Sequence, residues 1–199
     1  MPSPQRGRPR EFDTDQAIDA AMMLFWEQGY EAVGVAQLCE AMGIAKQSMY
    51  DWAGGKRGLY LLALDMYFKS KICGLEINLK QEASPIANLR HCLHAMAEYA
   101  KTPSNWGCFL TNAQSEFGTT DAEVQSLTAS VEEYITDQFR EVLERAKAAG
   151  EVADDLDCQA TASALSVFRN GIMLAGRSGQ STASIDQSIA AMEAMIRPT

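Results

Sequence analysis

Apolar side chains recur along most of this chain at intervals of three and four, the spacing that gathers them on one face of an α-helix. Ile18, Ala21, Met22 and Phe25 form the first such stripe. Asp13 precedes it as a cap, Gln16 completes a capping-box spacing, and Gly29 supplies a stop. Two short helical segments follow, over residues 35–41 and 45–50, with Gly43 as the tight turn between them. Gly54 and Gly55 end the second, and Leu59, Leu62, Ala63 and Met66 open a longer helix. Ser84 and Pro85 have the cap-then-proline order of a helix start, ahead of a stripe of Ile86, Leu89, Leu93, Met96 and Ala100. Thr120 and Glu123 predict a capping box for a long helix through Val124, Leu127, Val131, Ile135 and Val142, ending at Gly150. The stretch 156–176 is apolar on more than one side. Ser184 reads as the cap of a last helix striped by Ile185, Ile189, Met192 and Ile196. No segment has the alternation of a strand. The expectation is an all-α fold of about nine helices in three parts: an arm over 1–10, a compact three-helix domain over 11–55, and a helical remainder over 56–199.

Composition fits a globular chain: of 199 residues, 47% are hydrophobic and 22% charged, which excludes wholesale disorder and a collagen-like repeat. No apolar run approaches the roughly 18 residues of a membrane-spanning helix, and no apolar segment follows the first arginines as a secretory signal would require. Five scattered cysteines, without a Cys-x-x-Cys pair, argue against a disulfide framework or a cysteine-rich zinc site. A cytoplasmic protein with reduced thiols is expected, with no cofactor and no metal. The formal charge of −9 argues against a nucleic-acid partner, because phosphates attract basic surfaces. Its distribution qualifies that. Arg6, Arg8 and Arg10 make a short basic arm, either a solvated tail or an arm for the narrow, electronegative minor groove.

Three helices with the second and third joined through Gly43 have the helix-turn-helix pattern, in which a short second helix braces one that enters the DNA major groove. The detailed string resembles the DNA-binding domain of the TetR family of transcriptional regulators: Ala20-Ala21, Leu24-Phe25, Gln28-Gly29-Tyr30, Val35, Leu38, Ala41-Met42-Gly43-Ile44, Lys46, Met49-Tyr50, Lys56 and Leu59-Tyr60. Lys46, Gln47 and Ser48 stand at the start of the third helix, where side chains approach base edges. Gln47 is the candidate base reader, since its amide pairs bidentately with adenine, and Lys46 suits guanine or a phosphate. Tyr50 suits a phosphate contact through its hydroxyl, as the resemblance also implies. Lys56, at a helix start after two glycines, offers an ammonium and backbone N–H groups to a phosphate. Two departures stand out. Val33-Gly34 occupies the place of the family's usual Thr or Ser pair, so Gly34 keeps a backbone N–H but no hydroxyl. Ala53 replaces the usual aromatic, with Trp52 one place earlier.

The resemblance implies a C-terminal domain that binds a small molecule and forms a homodimer, the whole acting as a repressor released from a palindromic operator. The residues add to this. Ala160, Ala164, Val167, Gly171 and Leu174 form a small-residue stripe, read either as a dimer seam or as an internal core helix; Ile185, Ile189 and Met192 of the last helix would join such a seam. Candidates for an apolar effector site are Cys92, Met96, Tyr99, Trp106, Phe109 and Asn112, together with Phe117, Tyr134, Phe139 and Phe168. Cys108 follows Trp106-Gly107 at a possible helix start, where the dipole favours a thiolate. Gly-Cys at this point resembles a branch of the family with electrophile- and redox-responsive members; the plainer reading is a small buried thiol. His91, His94 and Glu98 share a helix stripe without a further metal ligand. No phosphate loop, Gly-x-Ser-x-Gly elbow or convergent acid–base set points to an enzyme. The alternative from another class is a small-molecule or thiol-reactive sensing protein whose DNA-reading domain is altered or lost.

Overall fold

A computed structural model describes residues 12–72, 75, 79–80, 84–103 and 105–196. Among these residues there are nine α-helices and no strand: α1 (Thr14–Gln28), α2 (Val35–Met42), α3 (Lys46–Ala53), α4 (Lys56–Tyr67), α5 (Pro85–Ala100), α6 (Phe109–Phe117), α7 (Ala122–Ala148), α8 (Cys158–Arg177) and α9 (Thr182–Met195). A π-helical turn, Phe68–Ile72, continues α4. The chain divides into two compact units, with the boundary between Ala63 and Leu64, inside α4.

In the first unit, the Asp13 carboxylate accepts from the N–H groups of Asp15 and Gln16, starting α1, and Gly29 at φ 85° ends it. The buried face of α1 is Ala17, Ala21, Met22, Phe25 and Trp26. It is rotated one residue from the sequence expectation, and Ile18 is only half-buried. Phe25 and Tyr30 pack on Tyr60, each pair of rings edge-on with centroids 5.0 Å apart. Leu38 of α2 and Met49 of α3 are fully buried, and each anchors its short helix to this core.

The second unit is built around α7 and α8, which pack along one another, with α5 against both, α6 against α7 and α9 against α5 and α8. Ser84 caps α5 as expected, its hydroxyl accepting from the Ala87 N–H. Two other caps differ from the expectation. Asp121, not Thr120, caps α7, accepting from the N–H groups of Glu123 and Val124, while the Thr120 hydroxyl donates to the Phe117 carbonyl. Ser181, not Ser184, caps α9, because its hydroxyl accepts from the Ser184 N–H. The core holds Leu89, Leu93, Ile135, Phe139, Leu143 and Leu165. Five polar or charged side chains are buried among the described residues, and one of them, Arg169 at 5% exposure, is a full charge.

Candidate functional site

In the first unit, Gly43 at φ 66° takes the left-handed conformation that closes α2 and turns the chain into α3. Neither α2 nor α3 has a side-chain cap, so their first-turn N–H groups carry no side-chain acceptor. Gly34, the N-cap of α2, is exposed with open space around its Cα. At the start of α3, Lys46 and Gln47 are exposed, Ser48 is half-buried and Tyr50 is 45% exposed, so Tyr50 is not a core residue. The Lys46 ammonium lies 5.8 Å from the Tyr50 ring centroid. The Gln47 amide Nε2 donates to the Asp51 carboxylate at 2.7 Å. One amide hydrogen is thereby committed to Asp51. The Lys56 ammonium sits 4.3 Å over the Tyr30 ring, a cation–π contact that holds it at the start of α4. Trp52, half-buried, meets Phe12 edge-on at 5.1 Å, and Ala53 closes α3 ahead of Gly54. Arg6, Arg8 and Arg10 lie outside the described residues.

In the second unit, Cys108 is 1% exposed and is the N-cap residue of α6. Arg169 of α8 donates from Nη1 to its sulfur at 3.5 Å. Burial pushes the Cys108 thiol up, but the Arg169 guanidinium and the Thr111 N–H and hydroxyl outweigh it, and the net shift is downward. Tyr67 also hydrogen-bonds to Cys108; burial first, then the neighbouring sulfur, raises its phenol well above the ordinary range. Cys92 lies close enough to feel the Arg169 charge, yet burial dominates there and pushes its thiol up to about 12. One group of thiols and phenols thus surrounds one buried cation.

Several expected effector residues come together around this group. Phe109 meets Tyr67 edge-on at 5.8 Å. The Tyr99 hydroxyl donates to the Gly107 carbonyl at 3.2 Å, and the Asn112 amide and Arg177 guanidinium both donate to the Trp106 carbonyl. Tyr134 packs instead on Phe68, with centroids 5.4 Å apart. Phe139 is core with no exposure, and Met96, Phe117 and Phe168 are half-buried. His94 faces the Glu193 carboxylate at 3.1 Å, and among the described residues no three His, Cys, Asp or Glu side chains converge on a metal position.

The outward face of α8 carries Ala160, Ala164, Val167, Gly171 and Leu174, all exposed, with Val167 at 72% and Leu174 at 55%. These residues are therefore not an internal core stripe of the subunit. Ile185 and Ile189 contradict their expected place on an outer seam. Both are buried in the subunit's own core, because α9 packs on α5 and α8. Met192 is half-buried, while Met195 is 75% exposed.

Two family models match the chain, one described as bacterial regulatory proteins, tetR family, over residues 17–63, the other as the tetracyclin repressor-like C-terminal domain, over residues 85–192. The chain belongs to the TetR family of transcriptional regulators. It is 29% identical to the HTH-type transcriptional repressor ComR of Escherichia coli (strain K12), over 88% of this chain and 85% of ComR. It is 31% identical to the HTH-type transcriptional regulator YezE of Bacillus subtilis (strain 168), over 82% of this chain and 85% of YezE. Among solved structures, a cysteine mutant of the TetR-family regulator CifR, complexed with a 26-base-pair operator duplex, superposes with a TM-score of 0.81 at 26% identity, covering 92% of this chain and 99% of that one.

Within this TetR-family chain, sequence reasoning missed Arg169, Tyr67, Glu132 and Asp51. Arg169 did leave a signal: it is the single charge between Asp157 and Arg177. A charge retained there has to be paired or used. Asp51 left one too, four residues after Gln47, within reach of its side chain.

Proposed function

We propose that the protein is a homodimeric repressor. It binds a near-palindromic operator through α2, Gly43 and α3, and releases it when a small molecule occupies the second unit. The observation that carries this is the surface at the start of α3. Lys46, Gln47 and Tyr50 are exposed there, beside uncapped N–H groups, while Met49 holds the helix to the core. Family membership and the operator complex of CifR support the same reading. Gln47 reads adenine, Lys46 and Tyr50 take base or phosphate, and Lys56 and the Gly34 N–H take phosphate; Arg6, Arg8 and Arg10 are the minor-groove arm. Dimerisation runs through the exposed face of α8. Effector binding favours a conformer whose two α3 helices no longer match half-sites about 34–36 Å apart or a multiple of that.

Selection of duplexes from a random pool by the purified protein tests this reading. An enriched inverted repeat is expected. A folded, dimeric protein that enriches no sequence, with or without cell extract as a source of effector, overturns it.

The surroundings of Cys108 favour a second mode of signalling, in which thiol modification is the signal. The guanidinium beside it and the lowered thiol supply the activation a reactive cysteine requires, while its 1% exposure means that a reagent reaches it only through local opening. Slow but stoichiometric labelling of Cys108 in the folded protein is expected; a thiol that reacts only on global unfolding eliminates this mode.

A further inference from the structure

Arg169 is buried at 5% exposure, yet most of its hydrogen-bonding capacity is unused. Nη1 donates to the Cys108 sulfur, while Nε and Nη2 have no hydrogen-bond partner. These two nitrogens share one edge of the planar guanidinium, the edge that grips a carboxylate with two parallel N–H···O bonds. The Glu132 carboxylate does not fill it. Its Oε2 stands 3.5 Å from Nη2, outside hydrogen-bond geometry, and its Oε1 is held away by the Ser166 hydroxyl at 2.6 Å and the Asn170 amide at 2.9 Å. The Cys108 sulfur, at the cap of α6, meets Nη1 instead, and the Thr111 N–H and hydroxyl of the same helix start act on that sulfur. A buried cation whose Nε–Nη2 fork has no hydrogen-bond partner matches a carboxylate in both charge and shape.

We propose that Arg169 binds the carboxylate of a small organic acid through its Nε–Nη2 edge. The proposal rests on the effector reading above and names the chemical class of that effector. The carboxylate becomes the counter-ion of Arg169 on its Nε–Nη2 edge, and its negative charge opposes the thiolate form of Cys108 on Nη1. Whatever thiolate fraction Cys108 carries therefore falls on binding. Glu132 stays on Ser166 and Asn170 and limits the site to one carboxylate, since a second negative charge would face it.

The test uses the full chain and a panel of acetate, butyrate, hexanoate and benzoate, each paired with its neutral amide. Equilibrium dialysis and the melting temperature read binding. The ultraviolet absorbance of the thiolate, against a Cys108→Ser baseline, reads Cys108. At least one acid is expected to bind saturably and raise the melting temperature while its amide does not. The same acid should lower the Cys108 thiolate signal. Arg169→Gln abolishes both effects, and Arg169→Lys, which keeps the charge and loses the fork, weakens binding at least tenfold while remaining folded. If no acid of the panel binds at millimolar concentration, or if acid and amide bind alike, or if Arg169→Lys binds as the wild type does, the proposal is overturned. Operator release is measured separately on the enriched duplex. An acid that binds Arg169 without releasing DNA leaves the carboxylate site standing and removes its effector role, whereas failure of the wild type to enrich any duplex counts against the repressor reading alone.

Discussion

At the residue scale, two pairs of neighbours set the chemistry. Asp51 fixes the Gln47 amide, with Nε2 donating to the Asp51 carboxylate at 2.7 Å. In the proposed reading, a Gln already held by Asp51 discriminates adenine at less cost in side-chain ordering. A bidentate amide–adenine pair carries about 1–3 kcal/mol of discrimination. Gln47→Ala should remove that preference at one position per half-site, Asp51→Ala should weaken it by a smaller factor, and Lys56→Ala should reduce affinity evenly over all sequences. Competition binding with single-base variants of the selected operator checks all three. The second pair is Cys108 and Cys92, which differ in sign. The Cys108 thiol is held below its ordinary value of 9.0, so the unfolded chain keeps that proton to higher pH. Its contribution to stability therefore appears as pH rises through the folded value and is complete above 9.0. Cys92, pushed up to about 12, contributes below the ordinary thiol value of 9.0 and loses that contribution as pH climbs toward its own. Urea unfolding across this range should show stability rising toward the ordinary thiol range and falling beyond it. Cys108→Ser removes the rise, and Cys92→Ser reduces the fall.

At the scale of elements, close backbone approach requires glycine at Gly58, against the Ala53 carbonyl, and at Gly176. Gly176, near the end of α8, faces the end of α5 so tightly that a Cβ there would collide with the Ala100 carbonyl and the Asn105 amide and stand 2.9 Å from the Ala100 Cα. Backbone cannot step aside as a flexible side chain can. Gly176→Ala should cost about 1–3 kcal/mol or more, in spite of alanine's better helix propensity. In a chain of this size each kcal/mol lowers the melting temperature by about 2–4 °C. Differential scanning calorimetry reads the shift, and a variant as stable as wild type would place the α5–α8 contact elsewhere. The elements themselves were largely legible, because their signals are local. Asp13, Gly29, Gly43 and Ser84-Pro85 act within one turn of where they stand, and the helices begin and end there. The errors arose where several residues offer the same local chemistry. Ser181, Thr182 and Ser184 are all cap-forming types, and only the packing of α9 selects Ser181. Ile18 outranks Ala17 in hydrophobicity, yet the α1 face is centred so that Ala17 is buried and Ile18 half-buried. The Cys108–Arg169 contact was not legible at all. It joins α6 to α8 across a separation of 61 residues, a distance no periodicity reports.

At the scale of the whole molecule, the outward face of α8 decides what the protein can assemble into. Ala160, Ala164, Val167, Gly171 and Leu174 follow one another at alternating steps of four and three, the repeat of a left-handed helix seam, and every one is exposed. Gly171 makes the argument sharper. Nothing lies within 4 Å of the position its Cβ would take, so the subunit itself has no use for a glycine there. Alanine at this point should stabilise an isolated helix by about 1 kcal/mol. The proposed seam accounts for a glycine there, since a second copy of α8 would cross close to its backbone. Gly171→Ala should therefore separate two quantities that usually move together. Subunit helicity holds or improves, while the dimer dissociates at higher concentration than the wild type. Gly171→Glu and Val167→Glu, which place a carboxylate in a twofold seam opposite its own copy, should give monomers in sedimentation; Ile185→Val, inside the subunit, should leave the assembly unchanged. The consequence reaches DNA. A dimer on an inverted repeat adds the binding energies of two half-sites, whereas a monomer has only one, so both glutamate variants should lose operator affinity by orders of magnitude with α3 untouched. Monomers that still bind the full inverted repeat as tightly as the wild type would place the twofold seam on a different face.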